Sequence, residues 1–333
     1  GEILALASFP DFDPNLFSGG IDQKSWNSLL ANPEHPLENK AIQGLYAPGS
    51  IFKVVTAYAG LDLGVLTPET ERVCNGYYFI KGRSDPFKCW KEGGHGRVKL
   101  IDAIKGSCNV YFYNAGISVG VDAIHKYASL FGLGKLTGVG LQNEKAGLIP
   151  NTKWKKRIFN EPWYLGETPS TAIGQGFITT TPLQVINMIN ILANDGMWMP
   201  PRIFKEQEGV RPEQIPLKKK YLSLIREGMV AVVNSEGGTA KKVQFEEFTV
   251  AGKTATSQVI SNETLETLDD EAKSSKIFQN HAWFVAFGPA EDPEISVLAL
   301  VEHGGGGSKA AAPVVRKILS YYIDNIYKQK NEQ

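Results

Sequence analysis

Ser50 and Lys53 stand three residues apart in the segment Pro48-Gly49-Ser50-Ile51-Phe52-Lys53-Val54-Val55-Thr56-Ala57. A Pro-Gly pair ahead of a strongly apolar run puts Ser50 at or near a helix N-terminus and Lys53 one turn along on the same face, so that the two touch. Lys53 is the only charged residue between Lys40 and Asp62, so its amine is expected to be desolvated, with a lowered pKa and a favoured neutral form. A neutral amine beside a hydroxyl is a general base beside a nucleophile. The plain alternative is a capping serine with a snorkelling lysine. Ser-x-x-Lys arises about once or twice by chance in a chain of this size, so alone it says little; here it occurs only once.

Two further segments follow in order. Ser107-Cys108-Asn109 offers a hydroxyl for proton relay and a carboxamide for a peptide carbonyl, two residues apart in a turn. Ser25-Trp26-Asn27 matches it equally well but precedes the nucleophile candidate. Thr249 to Gln258 is a strand of small and hydroxyl residues carrying one lysine, Lys253, followed by Thr254, Ala255 and Thr256. That composition suits an edge strand along which an extended substrate lies, with Lys253 and Thr254 meeting a carboxylate; an ordinary lysine-protected edge is the alternative.

All three cysteines fall close together, at Cys74, Cys89 and Cys108, with His95 among them. Three thiolates and an imidazole make a closed structural zinc site. The same residues also allow a Cys74–Cys89 disulfide with Cys108 buried and free, and a His95 that merely caps a Gly-rich turn. In the zinc reading Cys108 faces away from the cleft while Ser107 and Asn109 face into it, so the metal holds the turn without doing chemistry.

These residues need elements to hold them. Alternation from Glu2 to Phe9 predicts a first strand, followed by a polar connection to about Leu45. Helical patterning covers Ser50 to Leu63, Leu100 to Val119, Val121 to Leu130 and Thr181 to Asn194. Strands are expected over Phe248 to Val259, Ala282 to Phe287 and Ile295 to Val301, the last two as a hairpin, before a closing helix from Ala311 to Tyr327. An acid-rich stretch, Asn262 to Glu271, links two of the strands, and a connection of that length is usually functional or mobile. The expected fold is α/β of the α+β kind. One antiparallel sheet, completed by both chain ends and flanked by helices, carries an inserted helical subdomain. The α/β part covers about residues 1–45 and 240–333, the helical part about 46–239, and the cleft lies between them.

The order Ser-x-x-Lys, Ser-x-Asn, Lys-Thr-(small) is a known set for penicillin-binding proteins and class A β-lactamases. It occurs here with Asp13-Pro14-Asn15-Leu16-Phe17, Gly44-Leu45-Tyr46-Ala47, Gly94-His95-Gly96-Arg97, Gly174-Gln175-Gly176 and Thr181-Pro182-Leu183-Gln184. With these segments the whole chain closely resembles the transpeptidase domain of class B penicillin-binding protein 2, and with it the penicillin-binding/serine-β-lactamase-like fold.

The resemblance implies that Ser50 attacks a D-Ala-D-Ala stem peptide with Lys53 as base and Ser107 as relay. It implies that Asn109 holds the substrate amide, that Lys253, Thr254 and Thr256 bind the terminal carboxylate, and that the backbone N–H groups of Ser50 and Thr256 form an oxyanion hole. It also implies a zinc held by the Cys74, Cys89, His95 and Cys108 stretch. The implied partners are β-lactams, RodA and MreC. The implied place is the periplasmic face of the inner membrane, with an anchor helix and pedestal preceding these residues. A D,D-carboxypeptidase or β-lactamase on the same scaffold, and a silent zinc-stabilised β-lactam sensor or assembly subunit, are the rivals. The family's third motif usually ends in Gly, where this chain has Ala255. A methyl there narrows the space, so the geometry is expected to survive with altered acylation.

The 333 residues carry 35 basic and 35 acidic side chains and are 42% apolar. The chain therefore folds, and it lacks the global positive field that draws proteins to nucleic acid or anionic membranes.

Overall fold

The computed structural model describes residues 1–204, 211–246, 248–259 and 275–331. The acid-rich stretch from Asn262 to Glu271 lies outside the described residues. In chain order the α-helices of five residues or more are α1 (Gln23–Ala31), α2 (Lys53–Asp62), α3 (Leu100–Lys105), α4 (Asn109–Val119), α5 (Val121–Leu130), α6 (Thr152–Phe159), α7 (Thr168–Ala172), α8 (Pro182–Ala193), α9 (Lys219–Asn234) and α10 (Gly307–Tyr322). The strands are β1 (Arg72–Cys74), β2 (Tyr77–Tyr78), β3 (Phe87–Lys88), β4 (Gly96–Val98), β5 (Met197–Trp198), β6 (Glu213–Gln214), β7 (Ala251–Ser257), β8 (His281–Gly288) and β9 (Ile295–Val301).

The main sheet is antiparallel, with strand order β7-β8-β9. Its register sets Lys253 opposite Val285, Ala255 opposite Trp283, and Trp283 opposite Leu300. β8 reads Ala-Trp-Phe-Val-Ala-Phe without alternation and is buried along almost its whole length, the pattern of a central strand covered on both faces. α10 packs on β8 and β9, and α9 on β7 and α3. The hairpin β8–β9 is where the sequence puts it; the closing helix, expected over Ala311 to Tyr327, begins earlier, at Gly307, and turns π-helical over Ile323–Tyr327.

The first strand is a correction. Among the described residues the N-terminal segment makes only a single parallel bridge, Glu2 to Arg202, and contributes no strand to the β7-β8-β9 sheet. Its alternation is not a buried face, since Leu4 and Phe9 are 68% and 81% exposed. Side chains tie this part of the chain to the sheet instead. Lys40 pairs with Glu302 just past β9, and Tyr46 Oη donates to Glu302 Oε1 at 2.8 Å.

α2 and α8 are buried on nearly every side, as helices apolar all round must be. α2 packs against α4, α5 and α9 at the centre of the molecule. α8 starts with a capping box, Thr181 Oγ1 accepting from Gln184 N and Gln184 Oε1 from Thr181 N, with Pro182 at its first position. The helical run expected from Leu100 to Val119 is broken between α3 and α4, where Ser107 takes φ +53°. That left-handed conformation is unusual for a residue with a side chain.

Candidate active site

Pro48 and Gly49 shape the nucleophile turn. Gly49 has φ +53°, and residues Gly49–Phe52 form a short 3-10 turn that leads straight into α2. The turn is pressed between two neighbours. Gly49 N donates to Gly174 O at 3.0 Å, and a Cβ on Gly174 would lie 2.4 Å from Gly49 O. On the other side a Cβ on Gly49 would come within 3.1 Å of Thr256 O and 3.3 Å of the Ala255 Cβ. Gly49 and Gly174 thus let α7, the turn and β7 approach backbone to backbone. Gln175 extends the same clamp, its Nε2 donating to Thr256 O at 3.3 Å.

A cleft of about 1170 Å³ opens over this turn, lined by Ser50, Ser107, Asn109, Thr254, Ala255 and Thr256. The three segments separated in sequence therefore meet in one place. The two lysines lie beneath it, both fully buried. Lys53 Nζ donates to Ser107 O at 2.8 Å and Asn109 Oδ1 at 2.7 Å, and lies 3.1 Å from Ser107 Oγ. Burial outweighs the nearby thiols and holds the Lys53 amine down to about 7. Burial, then the charge of Lys53, lowers Lys253 well below the usual lysine range.

Two expectations change in detail. The Lys53 amine reaches the Ser-x-Asn turn rather than the Ser50 hydroxyl: the backbone N–H of Lys53 donates to Ser50 O, but among the described residues no side-chain hydrogen bond joins Ser50 Oγ to Lys53 Nζ. Catalytic hydrogen bonds are often long in an unliganded site and tighten with substrate in place. Lys253 does not reach into the cleft but lies under β7, where Nζ donates to Thr254 O at 3.2 Å. Ala255, by contrast, fits: it is 3% exposed, and its methyl occupies the room left by the missing side chain of Gly49.

Thr239 and Trp90 were not legible as site residues. Thr239 Oγ1 is 2.7 Å from Thr254 Oγ1, a contact that an isolated threonine after two glycines does not announce. Trp90 lines the cleft, and its position directly after Cys89 was the only available signal.

The remaining wall is the segment from β1 to β4. The candidate ligand atoms of Cys74, Cys89, His95 and Cys108 all lie within 4.8 Å of one another. His95 Nδ1 is 3.6 Å from Cys74 Sγ and 3.5 Å from Cys89 Sγ. A tetrahedral zinc with ordinary Zn–S and Zn–N lengths sets such an N–S edge at about 3.6 Å. His95 Nε2 lies 3.0 Å from Gly106 O, which assigns the proton to Nε2 and leaves Nδ1 for a ligand. Cys108 caps α4, its Sγ accepting from Tyr111 N at 3.5 Å, where the helix terminus favours a thiolate. Cys89 and Cys108 do not both ionise on their own. Cys89 is held low chiefly by the hydrogen bond from Cys108, while Cys108 is pushed up by Cys89 and by burial. Such a donor set fits a thiophilic divalent cation. The three cysteines are unbridged, so the disulfide alternative is not what this structure adopts.

The fold recurs in known proteins. The peptidoglycan D,D-transpeptidase MrdA of Haemophilus influenzae is 37% identical over 333 residues, taking in 97% of this chain and 51% of that protein. The solved structure of Pseudomonas aeruginosa PBP2 in complex with WCK 5153 matches with a TM-score of 0.84 at 36% identity, covering 95% of this chain and 70% of that one. The complex between PBP2 and MreC from Helicobacter pylori gives 0.85 at 34% identity, covering 96% and 57%. The chain spans about half the length of the curated relatives it matches. Residues 1–320 match the family described as the penicillin binding protein transpeptidase domain, and to that family this chain belongs.

Proposed function

We propose that this chain is the catalytic part of a peptidoglycan D,D-transpeptidase that works through a serine acyl-enzyme and is a target of β-lactams. The carrying observation is the buried Lys53 amine, 2.7 Å from Asn109 Oδ1 and 3.1 Å from Ser107 Oγ, beneath a cleft that Ser50 lines. As a neutral amine it gives two N–H groups to Ser107 O and Asn109 Oδ1 and turns its lone pair toward the Ser107 hydroxyl and the cleft.

In this reading Ser50 Oγ attacks the carbonyl carbon of the penultimate D-Ala, and its proton passes to Lys53. The tetrahedral oxyanion is met by the backbone N–H groups of Ser50 and Thr256. Collapse breaks the C–N bond to the terminal D-Ala, whose nitrogen takes the proton through Ser107. Asn109 holds the substrate amide, and Thr254 and Thr256 bind the terminal carboxylate. Lys253 acts from beneath the strand by fixing the Thr254 carbonyl. An amine of a neighbouring stem then attacks the ester, forming the cross-link and freeing Ser50. A β-lactam, whose opened ring does not leave, stops at the ester.

Zinc is the metal we assign to Cys74, Cys89, His95 and Cys108. When bound it supplies no reaction chemistry and holds the Ser107–Asn109 turn. In the parent protein we place this domain on the periplasmic side of the inner membrane, in an elongation complex with RodA and MreC. Support for MreC comes from the Helicobacter pylori complex. No described helix of this chain is long and apolar enough to cross a membrane.

The test is a product assay on a D-Ala-D-Ala stem peptide with an acceptor amine. The proposal expects a cross-linked product and one released D-Ala, both abolished in Ser50→Ala. Release of D-Ala without cross-linking would favour a carboxypeptidase, rapid turnover of penicillin a β-lactamase, and no reaction at all a silent sensor.

A further inference from the structure

Trp90 is an oddity of the cleft wall. Its side chain is 58% exposed, so burial does not explain its place, yet its one polar atom is doubly engaged. The indole Nε1–H donates to Gly106 O at 3.1 Å and to Ser107 O at 3.0 Å. Its ring meets that of His95 edge to face, with centroids 5.5 Å apart.

Those two carbonyls are shared. Ser107 O also accepts from Lys53 Nζ at 2.8 Å, and Gly106 O faces His95 Nε2 at 3.0 Å. A continuous hydrogen-bonded path therefore runs from the cysteine–histidine cluster through Trp90 to the buried lysine. The path crosses the residue with φ +53°. A non-glycine residue in that region costs on the order of 1–3 kcal/mol and persists only where its surroundings over-determine it. Cys108 N, donating to Ala103 O at 2.9 Å, fixes one end of the turn. The Ser107 carbonyl has only two side-chain donors among the described residues. One is the lysine that must be free to take and give a proton, which leaves the indole as the constant one.

We propose that Trp90 is a positioning residue for the acyl-transfer step: its indole N–H holds the Gly106 and Ser107 carbonyls so that Ser107 Oγ and Lys53 Nζ stay aligned. This rests on the transpeptidase reading. It assigns Trp90 no contact with the reacting atoms. Misplacement of a catalytic group by an ångström can cost about 100-fold, and losing one of two donors to a carbonyl should cost less.

The experiment uses the full chain with its metal and a fluorescent penicillin, following acylation over a range of drug concentrations. Trp90→Phe removes the donor. A second variant carries β-(3-benzothienyl)alanine at position 90, which swaps the N–H for sulfur and keeps the ring shape. The proposal expects the saturating acylation rate to fall about 10-fold in both variants, with half-saturating concentration, metal content and Tm as in the parent. An unchanged saturating rate overturns it. So does a change in half-saturation alone, which would make Trp90 a stacking surface for the drug, and so does a rate loss that tracks loss of metal or of Tm. A parent chain that takes up no penicillin overturns the transpeptidase reading itself, an outcome distinct from the other three.

Discussion

The two walls of the cleft are built by different physics. The Ser50 turn and β7 are held by apolar burial and backbone packing. α2 is buried from Lys53 to Leu61, β8 beside β7 is covered on both faces, and Gly174 allows a contact that a methyl would block while Gly49 allows one that a methyl would crowd. The wall from β1 to β4 has strands of only two or three residues. It leaves Val73, Tyr77, Phe79 and Trp90 half or more exposed. Beside the few side chains there that reach the core, among them Val98, Tyr78 and Phe87, stands a set of three thiols and an imidazole. The Ser107–Asn109 turn sits at the seam, its strained backbone tied to the core by Lys53 and to the cluster by His95 and Trp90. A reaction that needs Lys53 and Ser107 in register thus depends on a hydrophobic core and on a ligand cluster at once.

The largest expected effect is on the core side. Lys53→Met should lower the acylation rate about 1000-fold, within the range general bases contribute, with the fold intact by circular dichroism. Because burial brings the Lys53 amine to about 7, the parent rate should rise with pH as the amine loses its proton, with a midpoint near 7 and a plateau above. A rate that falls with pH across that range would remove Lys53 as the base.

On the cluster side, metal analysis should return about one zinc per chain, and Cys108→Ser should lose it. We expect Tm to drop about 5 °C and acylation about 10-fold, with faster amide exchange over residues 72–98 and little change in β7–β9. Uniform loss of protection would erase the distinction between the walls, and a zinc-free chain of full activity would remove the metal from the account.

The smallest effect tests the packing of the first wall. Ala255→Gly frees one methyl against the Gly49 turn, and we expect acylation about 3-fold faster, the scale of one methyl contact, with Tm about 2 °C lower from the added strand flexibility. An unchanged rate would mean the methyl does not narrow the site.

How much of this was legible follows the same divide. The three motifs, the hairpin β8–β9 and the helices α5 and α8 were readable because local pattern and tertiary environment agree there. The break at Ser107 was legible in part: Ser107 to Asn109 reads as a turn, but the helical composition of Leu100 to Val119 runs across it, and the left-handed residue depends on the ties to Lys53, His95 and Trp90 and on Cys108 N donating to Ala103 O. The N-terminal alternation misled for the converse reason: period-two spacing without burial carries no pairing information. Lys53 and Lys253 were recognised as chemical residues, but that both lie beneath the cleft depends on helix and strand packing that spacing does not encode. The cluster could be suspected from clustering alone, whereas its N–S distances and the His95 tie to Gly106 required coordinates.

The most direct test of the central claim is intact-mass measurement of the chain after incubation with penicillin, followed by mapping of the modified peptide. The account predicts one adduct of the full mass of the drug per chain, located on Ser50 and absent from Ser50→Ala. No adduct, or an adduct that maps to a cysteine or another serine, would contradict it.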